Sequence, residues 1–265
     1  MKCVRTMRSR TEKIVQAWAD GTKGQIINPI PNDKDMPEED YFFFGILRGS
    51  GDMMKRAKSY YFADHAYFKA GHDKNPAWYR ITKNAHVNSD LKSVPKHRYE
   101  KNFFRPIKPW RTSGSKIIVC PPTGAIEWYF DSQDWLEASI KTLQQHTDRE
   151  IVVRDKPMNP QVSEKNGITT LSGFNKNKQQ NPLTEDLADA WAVVTFNSSV
   201  AIDAVCEGIP VFCGTECSAY QVAEQDLSKI ETPKHADREP WLWHLSYNQF
   251  TLEEMRSGFA YDCIS

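Results

Sequence analysis

Apolar positions along the chain fall into short, separated runs. Residues 41–47 (YFFFGIL) form a continuous apolar run of strand length and predict a buried strand. A turn follows at Arg48-Gly49-Ser50-Gly51-Asp52, where Ser50 or Asp52 is placed to cap a helix over residues 53–58. Residues 60–63 read as a second strand, and residues 13–18 as either a helix or a strand. From residue 67 to 110 the pattern is irregular, aromatic and basic. The second half is more regular. The β-branched run 116–120 (KIIVC) ends in Pro121-Pro122-Thr123-Gly124, and residues 134–145 carry helical spacing through Trp135, Ile140 and Leu143. A strand over 150–153 ends in Arg154-Asp155-Lys156-Pro157. Next come a helix over 184–190 capped by Thr184, a strand over 192–196 (AVVTF), a helix over 200–207 closed by Gly208, and a strand over 210–213. Strands and helices alternating at this spacing predict a parallel sheet with helices on its faces. Residues 238–265 read as helical, with Thr251-Leu252-Glu253-Glu254 as a capping-box start.

Bulk properties narrow the picture. A chain of 265 residues with 40% hydrophobic content can bury more than one core, so two units of similar size are expected. No run approaches the roughly 20 apolar residues of a membrane helix, and none behind the charged N-terminus resembles a secretory leader. The six cysteines form no CxxC pair; Cys120, Cys206 and Cys213 sit in apolar runs and read as small buried hydrophobes. The cytoplasm is the expected compartment. Net charge is +0, yet residues 51–116 hold fifteen basic and five acidic side chains, a local surplus of ten. Two halves with different ligands follow from that asymmetry. The same stretch is rich in aromatic residues, which suits a nucleic acid or an anionic glycan, or else a solvated basic surface over a separate aromatic core.

Ligands of parallel α/β sheets bind beyond the carboxyl ends of the strands. Four loops there stand out: Thr123-Gly124, Arg154 with Lys156, Asn197-Ser198-Ser199, and Gly214-Thr215. At the third, a strand runs through three small polar residues directly into a helix. Backbone N–H groups at a helix start, with hydroxyls beside them, suit a diphosphate. Arg154 and Lys156 are placed to neutralise the same phosphates. Asp203 and Glu207, four apart on the next helix, offer acceptors for ribose hydroxyls. Taken alone, the tripeptide is also explained as an ordinary helix cap.

Its surroundings shift that balance. Ala190-Trp191-Ala192-Val193-Val194-Thr195-Phe196-Asn197-Ser198-Ser199, followed by Asp203-Ala204 and Glu207-Gly208-Ile209-Pro210-Val211, resembles the donor domain of GT-B glycosyltransferases. The likeness is strongest to those that build bacterial capsule and surface polysaccharide. Arg154-Asp155-Lys156-Pro157 is similar to a strand end of the same enzymes, and the resemblance spans residues 116–220. Asp203 stands where the pattern has Glu, and Ile209 where it has Lys; the shorter acid reaches differently toward a donor. The resemblance implies two Rossmann-like α/β domains facing a cleft, residues 1–112 on the acceptor side and 113–265 on the donor side, with a C-terminal helix crossing back to the first. It implies a nucleoside diphosphate sugar as co-substrate, a donor site including Thr195, and neither cofactor nor obligatory metal.

In the first half, Asp64-His65 ends an aromatic run; Asp64 is the first candidate base for an acceptor hydroxyl and His65 the second, with a turn cap and a structural histidine as the plainer reading. Arg48, Arg80 and Lys83 are the cations expected to hold acceptor or phosphate. The short chain and its charge division point to a phage enzyme acting on a hydroxymethylpyrimidine in DNA. Surface polysaccharide is the alternative acceptor, and a non-catalytic nucleotide- or nucleic-acid-binding module of the same shape is the rival class. The remaining histidines lack metal-type spacing, and no GxSxG, P-loop or GxGxxG is present.

Overall fold

The computed structural model describes residues 1–6, 8–47, 49–88, 90–156, 164–165, 168–171 and 182–265. In chain order the elements are β1 (Lys2–Val4), α1 (Ser9–Thr22), β2 (Gln25–Ile27), β3 (Asp40–Phe44), α2 (Ser50–Arg56), β4 (Ser59–His65), β5 (Trp78–Lys83) and α3 (His97–Asn102). Then follow β6 (Lys116–Cys120), α4 (Gly124–Phe130), α5 (Trp135–His146), β7 (Glu150–Arg154), β8 (Glu164–Lys165), β9 (Ile168–Leu171), α6 (Leu183–Asp186), β10 (Ala190–Thr195), α7 (Val200–Cys206) and β11 (Val211–Phe212). The chain ends with α8 (Glu239–Ser246), β12 (Gln249–Thr251), α9 (Leu252–Arg256) and α10 (Phe259–Ile264). These elements divide into two units. One comprises Met1–Phe104 with Glu239–Ser265, the other Arg105–Arg238.

The first unit holds a six-stranded sheet in the order β12-β5-β4-β3-β1-β2. Strands β2, β1, β3 and β4 are parallel, and β5 and β12 run antiparallel to their neighbours. Tyr41, Phe42 and Phe43 of β3, like Tyr61, Phe62 and Ala63 of β4, are all buried. A parallel strand covered on both faces needs such an unbroken apolar run. Residues 13–18 resolve as part of α1, whose Ile14, Val15 and Trp18 are fully buried and whose Trp18 ring stacks 4.7 Å from that of Phe42. Gly21 lets α1 meet α9, since a Cβ there would lie 1.9 Å from the Met255 carbonyl oxygen.

Several local expectations change. Gly49, at φ +87°, precedes α2, and neither Ser50 nor Asp52 caps it. Ser50 lies inside the helix and donates its hydroxyl to the carbonyls of Gly45 (2.7 Å) and Leu47 (2.8 Å). The stretch that looked irregular contains β5 and α3. Arg98 of α3 ties this segment to the C-terminal elements. Its guanidinium, almost wholly buried, grips both carboxylate oxygens of Glu254 at 2.7 and 2.9 Å and donates to the carbonyls of Ser246 and Gln249. The capping box at Thr251 and Glu254 is present, but residues 249–251 pair with β5 as a strand instead of extending a helix.

The second unit holds a sheet ordered β11-β10-β6-β7-β9-β8, parallel throughout except for β8. Ile117, Val119, Leu143, Val153, Ala192, Val194 and Phe212 build its core. Helix α6 begins after Pro182, so Thr184 lies inside it and does not cap it. Residues 108–111 are fastened to this unit, which starts at Arg105. The Lys108 N–H donates to Cys206 O at 2.9 Å and the Arg111 N–H to Gly208 O at 2.7 Å. Gly208, at φ +77°, permits this approach, since a Cβ would stand 2.0 Å from Pro109 O.

Candidate functional site

In the second sheet, β6 leads through α4 and α5 to β7 on one side, whereas β10 lies against the other side of β6. The chain order therefore reverses between β6 and β10, and such a switch point opens a crevice beyond the strand ends. The loops that flank it are Pro121-Pro122-Thr123-Gly124 and Phe196-Asn197-Ser198-Ser199. Thr195 ties them together. Its buried hydroxyl donates to Cys120 O at 2.8 Å and accepts the Ser198 N–H at 3.1 Å. Thr195 is thus fully engaged in shaping the turn. The turn also satisfies the first amides of α7: Ser198 Oγ accepts from Val200, Ser198 O from Ala201, and Ser199 O from Ile202. Fewer backbone donors are open there than the sequence pattern implied. Asn197 remains half-buried and Ser199 exposed, and on the facing loop Gly124 is exposed at the start of α4.

The expected phosphate-binding cations are placed differently from one another. Arg154, at the end of β7, forms an ion pair with Asp186, and burial pulls its pKa below the usual guanidinium value. Lys156 is exposed. Between them, burial pushes the Asp155 carboxyl above the usual carboxylate range, a feature with no signal in the sequence. Burial likewise pushes the Cys120 thiol up to about 12, keeping it neutral.

Asp203 and Glu207 share one face of α7, but cations already occupy them. Arg105 reaches Asp203 at 2.7 Å and Glu207 at 3.6 Å, and Lys108 reaches Glu207 at 2.5 Å. The Lys108 hydrogen bond and charge hold the Glu207 carboxyl below its usual pKa. Glu207 also follows the last turn of α7, about 10 Å along the helix from the switch point at 1.5 Å per residue. These carboxylates fasten residues 105–111; the structure does not bring Glu207 to the strand ends.

The first sheet has its own switch point between β1 and β3, with β2 on the far side of β1. Arg5, Thr6 and Arg8 follow β1 there, and Gly45 and Gly49 follow β3. The three-residue strand β1 carries too little pattern to have revealed it. Arg5 pairs with Glu12 at 3.4 Å, and the hydroxyls of Thr6 and Thr11 meet at 2.5 Å. Arg48 falls in the same loop and lies outside the described residues.

Asp64 and His65 end β4, one strand further along. Asp64 stands directly opposite Arg80 in the ladder, and their side chains pair at 3.1 Å. The other carboxylate oxygen accepts the His65 N–H at 2.8 Å. Desolvation raises the Asp64 pKa, but Arg80, His86, His65 and that hydrogen bond outweigh it, and the net shift is downward. His65 is exposed, with its ring 4.6 Å from that of His72, whose Nδ1 lies 3.2 Å from the Tyr79 hydroxyl. The structure thus brings together Asp64, His65 and Arg80. Lys83 lies at the opposite end of the sheet, across from Tyr61 near the start of β4.

The basic, aromatic stretch also resolves. Tyr61, Tyr67, Phe68, Trp78, Tyr79, Tyr99 and Phe103 are buried and cannot offer open faces to bases. Many of the surplus cations carry internal ion pairs, Lys58 with Glu38, Arg80 with Asp64, Arg98 with Glu254, Arg105 with Asp203 and Lys108 with Glu207. Among the described residues no helix is long and apolar enough to cross a membrane, and no three His, Cys, Asp or Glu side chains gather as metal ligands.

Two predominantly parallel sheets with flanking helices give this chain a glycosyltransferase-like fold. Among solved structures it is similar to the β-Kdo 2,4-transferase of Thermosulfurimonas dismutans KpsC, with a TM-score of 0.53 and 12% identity over 94% of this chain and 91% of that one. It is also similar to the β-Kdo 2,7-transferase of the same KpsC, with a TM-score of 0.50 and 12% identity over 97% and 98% of the two chains. No protein-family model matches the sequence, and no curated protein matches it.

Proposed function

We propose that this protein is a glycosyltransferase that binds a nucleotide sugar at the carboxyl ends of β6 and β10 and transfers the sugar to a hydroxyl of a glycan. The observation that carries this reading is the switch point of the second sheet, flanked by Thr123-Gly124 and Asn197-Ser198-Ser199 within a glycosyltransferase-like fold. Asn197, Ser199 and Gly124 offer polar contacts to the donor, and Lys156 adds charge for its phosphate. In the reaction the acceptor oxygen bonds to the anomeric carbon, the bond from that carbon to the nucleotide breaks, and a base takes the hydroxyl proton. Of the two neighbours, His65 is the better base. Asp64 is already neutralised by Arg80, and its lowered pKa weakens it. Asp64 then serves to fix Arg80.

A glycan acceptor is favoured over DNA because most of the aromatic rings that suited base stacking are buried, Phe104 being the exposed exception. A surface polysaccharide fits the Kdo-transferase fold neighbours. Transfer is proposed to need no metal, so turnover should survive EDTA; loss on chelation with rescue by Mg²⁺ or Mn²⁺ would remove that element. The central test is calorimetry with a panel of nucleotide sugars. One member should bind, and Asn197→Ala with Ser199→Ala should weaken it about tenfold or more, as loss of two polar contacts implies. No binding of any member at millimolar concentration would overturn the donor site.

A further inference from the structure

A second cavity lies in the first unit, at the opposite end of the sheet from Asp64 and His65. Its volume is about 330 Å³, in the range of small-ligand sites, and Lys83, Asn84, Asn88, Asp90, Lys92 and Asn248 contribute to its lining. The wall is held by hydrogen bonds that leave its amides little freedom. Asn84, at φ +53°, accepts the Tyr60 N–H on its side-chain oxygen at 2.7 Å and returns its own N–H to Tyr60 O at 2.8 Å. Asn88 donates to the Asn248 side-chain oxygen at 3.0 Å and accepts the Asp90 N–H at 3.2 Å. Asn248 donates to His244 O at 2.8 Å, and the Lys92 N–H donates to His244 Nδ1 at 3.2 Å.

Against this fixed wall stand two cations. Elsewhere in the chain, Lys58, Arg80, Arg98, Arg105 and Lys108 are matched with carboxylates. Among the described residues, Lys83 and Lys92 have no carboxylate within ion-pair distance, although Asp90 lines the same cavity. The Lys83 ammonium instead rests 5.5 Å from the Tyr61 ring centre. Two ammonium groups beside amides, with Asp90 and the last residue, Ser265, also on the lining, match a ligand with both oxyanions and hydroxyls.

We infer that this cavity binds an anionic saccharide unit of a glycan chain, away from the reacting end. The saccharide class rests on the glycosyltransferase reading above; the requirement for negative charge rests on Lys83 and Lys92 alone. Such a site would hold an acceptor chain by a residue remote from the hydroxyl being extended.

The test is a binding measurement that needs no turnover, so a failed donor site would not disturb it. Oligogalacturonate trimer, maltotriose and inorganic phosphate would be titrated against the full chain and against Lys83→Gln/Lys92→Gln, with circular dichroism and melting confirming that the variant folds. The carboxylated trimer should bind, and the double variant should weaken it about tenfold or more. Maltotriose should bind at least about tenfold more weakly than the acidic trimer. A milder variant, Asn84→Asp, keeps the shape, adds a negative charge and should also weaken the trimer. Equal binding of maltotriose, phosphate binding as tightly as the trimer, trimer binding indifferent to the lysine substitutions, or no trimer binding would each overturn the assignment.

Discussion

The two units use the same device, a parallel sheet with a switch point, yet they hold their strand ends differently. In the second unit the loops after β6 and β10 are short, and Thr195 braces one against the other through Cys120 O. In the first, strand-end charge is balanced by charge from a neighbouring element, Asp64 by Arg80 across the ladder and Arg5 by Glu12, as Asp186 balances Arg154 at the end of β7 in the second. A brace made of backbone and a buried hydroxyl leaves nearby side chains available to a ligand. A brace made of ion pairs uses up groups that would otherwise react, which is the ground for proposing His65 over Asp64 as the base.

The sharpest way to break this comparison is at the ion pair that closes the first unit. Arg98→Ala should destabilise the protein by about 3 kcal/mol or more in chemical denaturation, because it leaves the Glu254 carboxylate without its partner in a largely buried network. A loss below about 1 kcal/mol would mean that the network is not needed. Next comes catalysis. Given a donor and acceptor, His65→Gln should lower kcat by about 100-fold, while Asp64→Asn should act mainly through misplacement of Arg80 and cost less. The reverse order would return the base to Asp64.

A pH titration probes the same unit. Burial lowers His244 from 6.5 to about 4, so the folded protein resists a proton that the unfolded chain accepts. Stability should be unaffected by this group above about pH 6.5 and fall by roughly 1.4 kcal/mol per pH unit between there and about pH 4. His244→Gln should flatten that slope in urea denaturation performed across the range; an unchanged slope would assign it to other groups. The smallest effect is expected in the second unit. Arg149 and Glu231 pair at 2.8 Å but are partly exposed, so Glu231→Gln should cost only about 0–1 kcal/mol.

Legibility in the sequence followed the span of chain over which each feature is determined, so β3 and β4 of the first unit were readable as well. The strands 116–120, 150–153 and 192–196 announced themselves because each is a β-branched run bounded by Pro, Gly or polar residues, and the structure shifts their ends by two residues at most. The Asn197-Ser198-Ser199 turn was legible because it follows such a strand directly, and the capping box at Thr251 because its pattern spans only four residues. The first unit hid β5 and α3 because their order depends on distant partners. Strand β5 lies between β4 and β12, and Arg98 finds its carboxylate 156 residues later. No local window contains both halves of such a contact. The ion pairs of Asp203 and Glu207 were hidden likewise, since spacing shows that two acids share a face without showing that Arg105 and Lys108 cover it.

The return of β12 and α9 to the first sheet also bears on the order in which the protein is made. A ribosome delivers the N-terminal strands first, yet β5 lacks its outer neighbour and Arg98 its carboxylate until Glu254 has been synthesised. The second unit, whose strands and helices all lie between Arg105 and Arg238, has its complete sequence earlier. The unit begun first is therefore the unit completed last, and for the whole translation of residues 105–238 its unpaired strand edge is a surface for chaperones to shield.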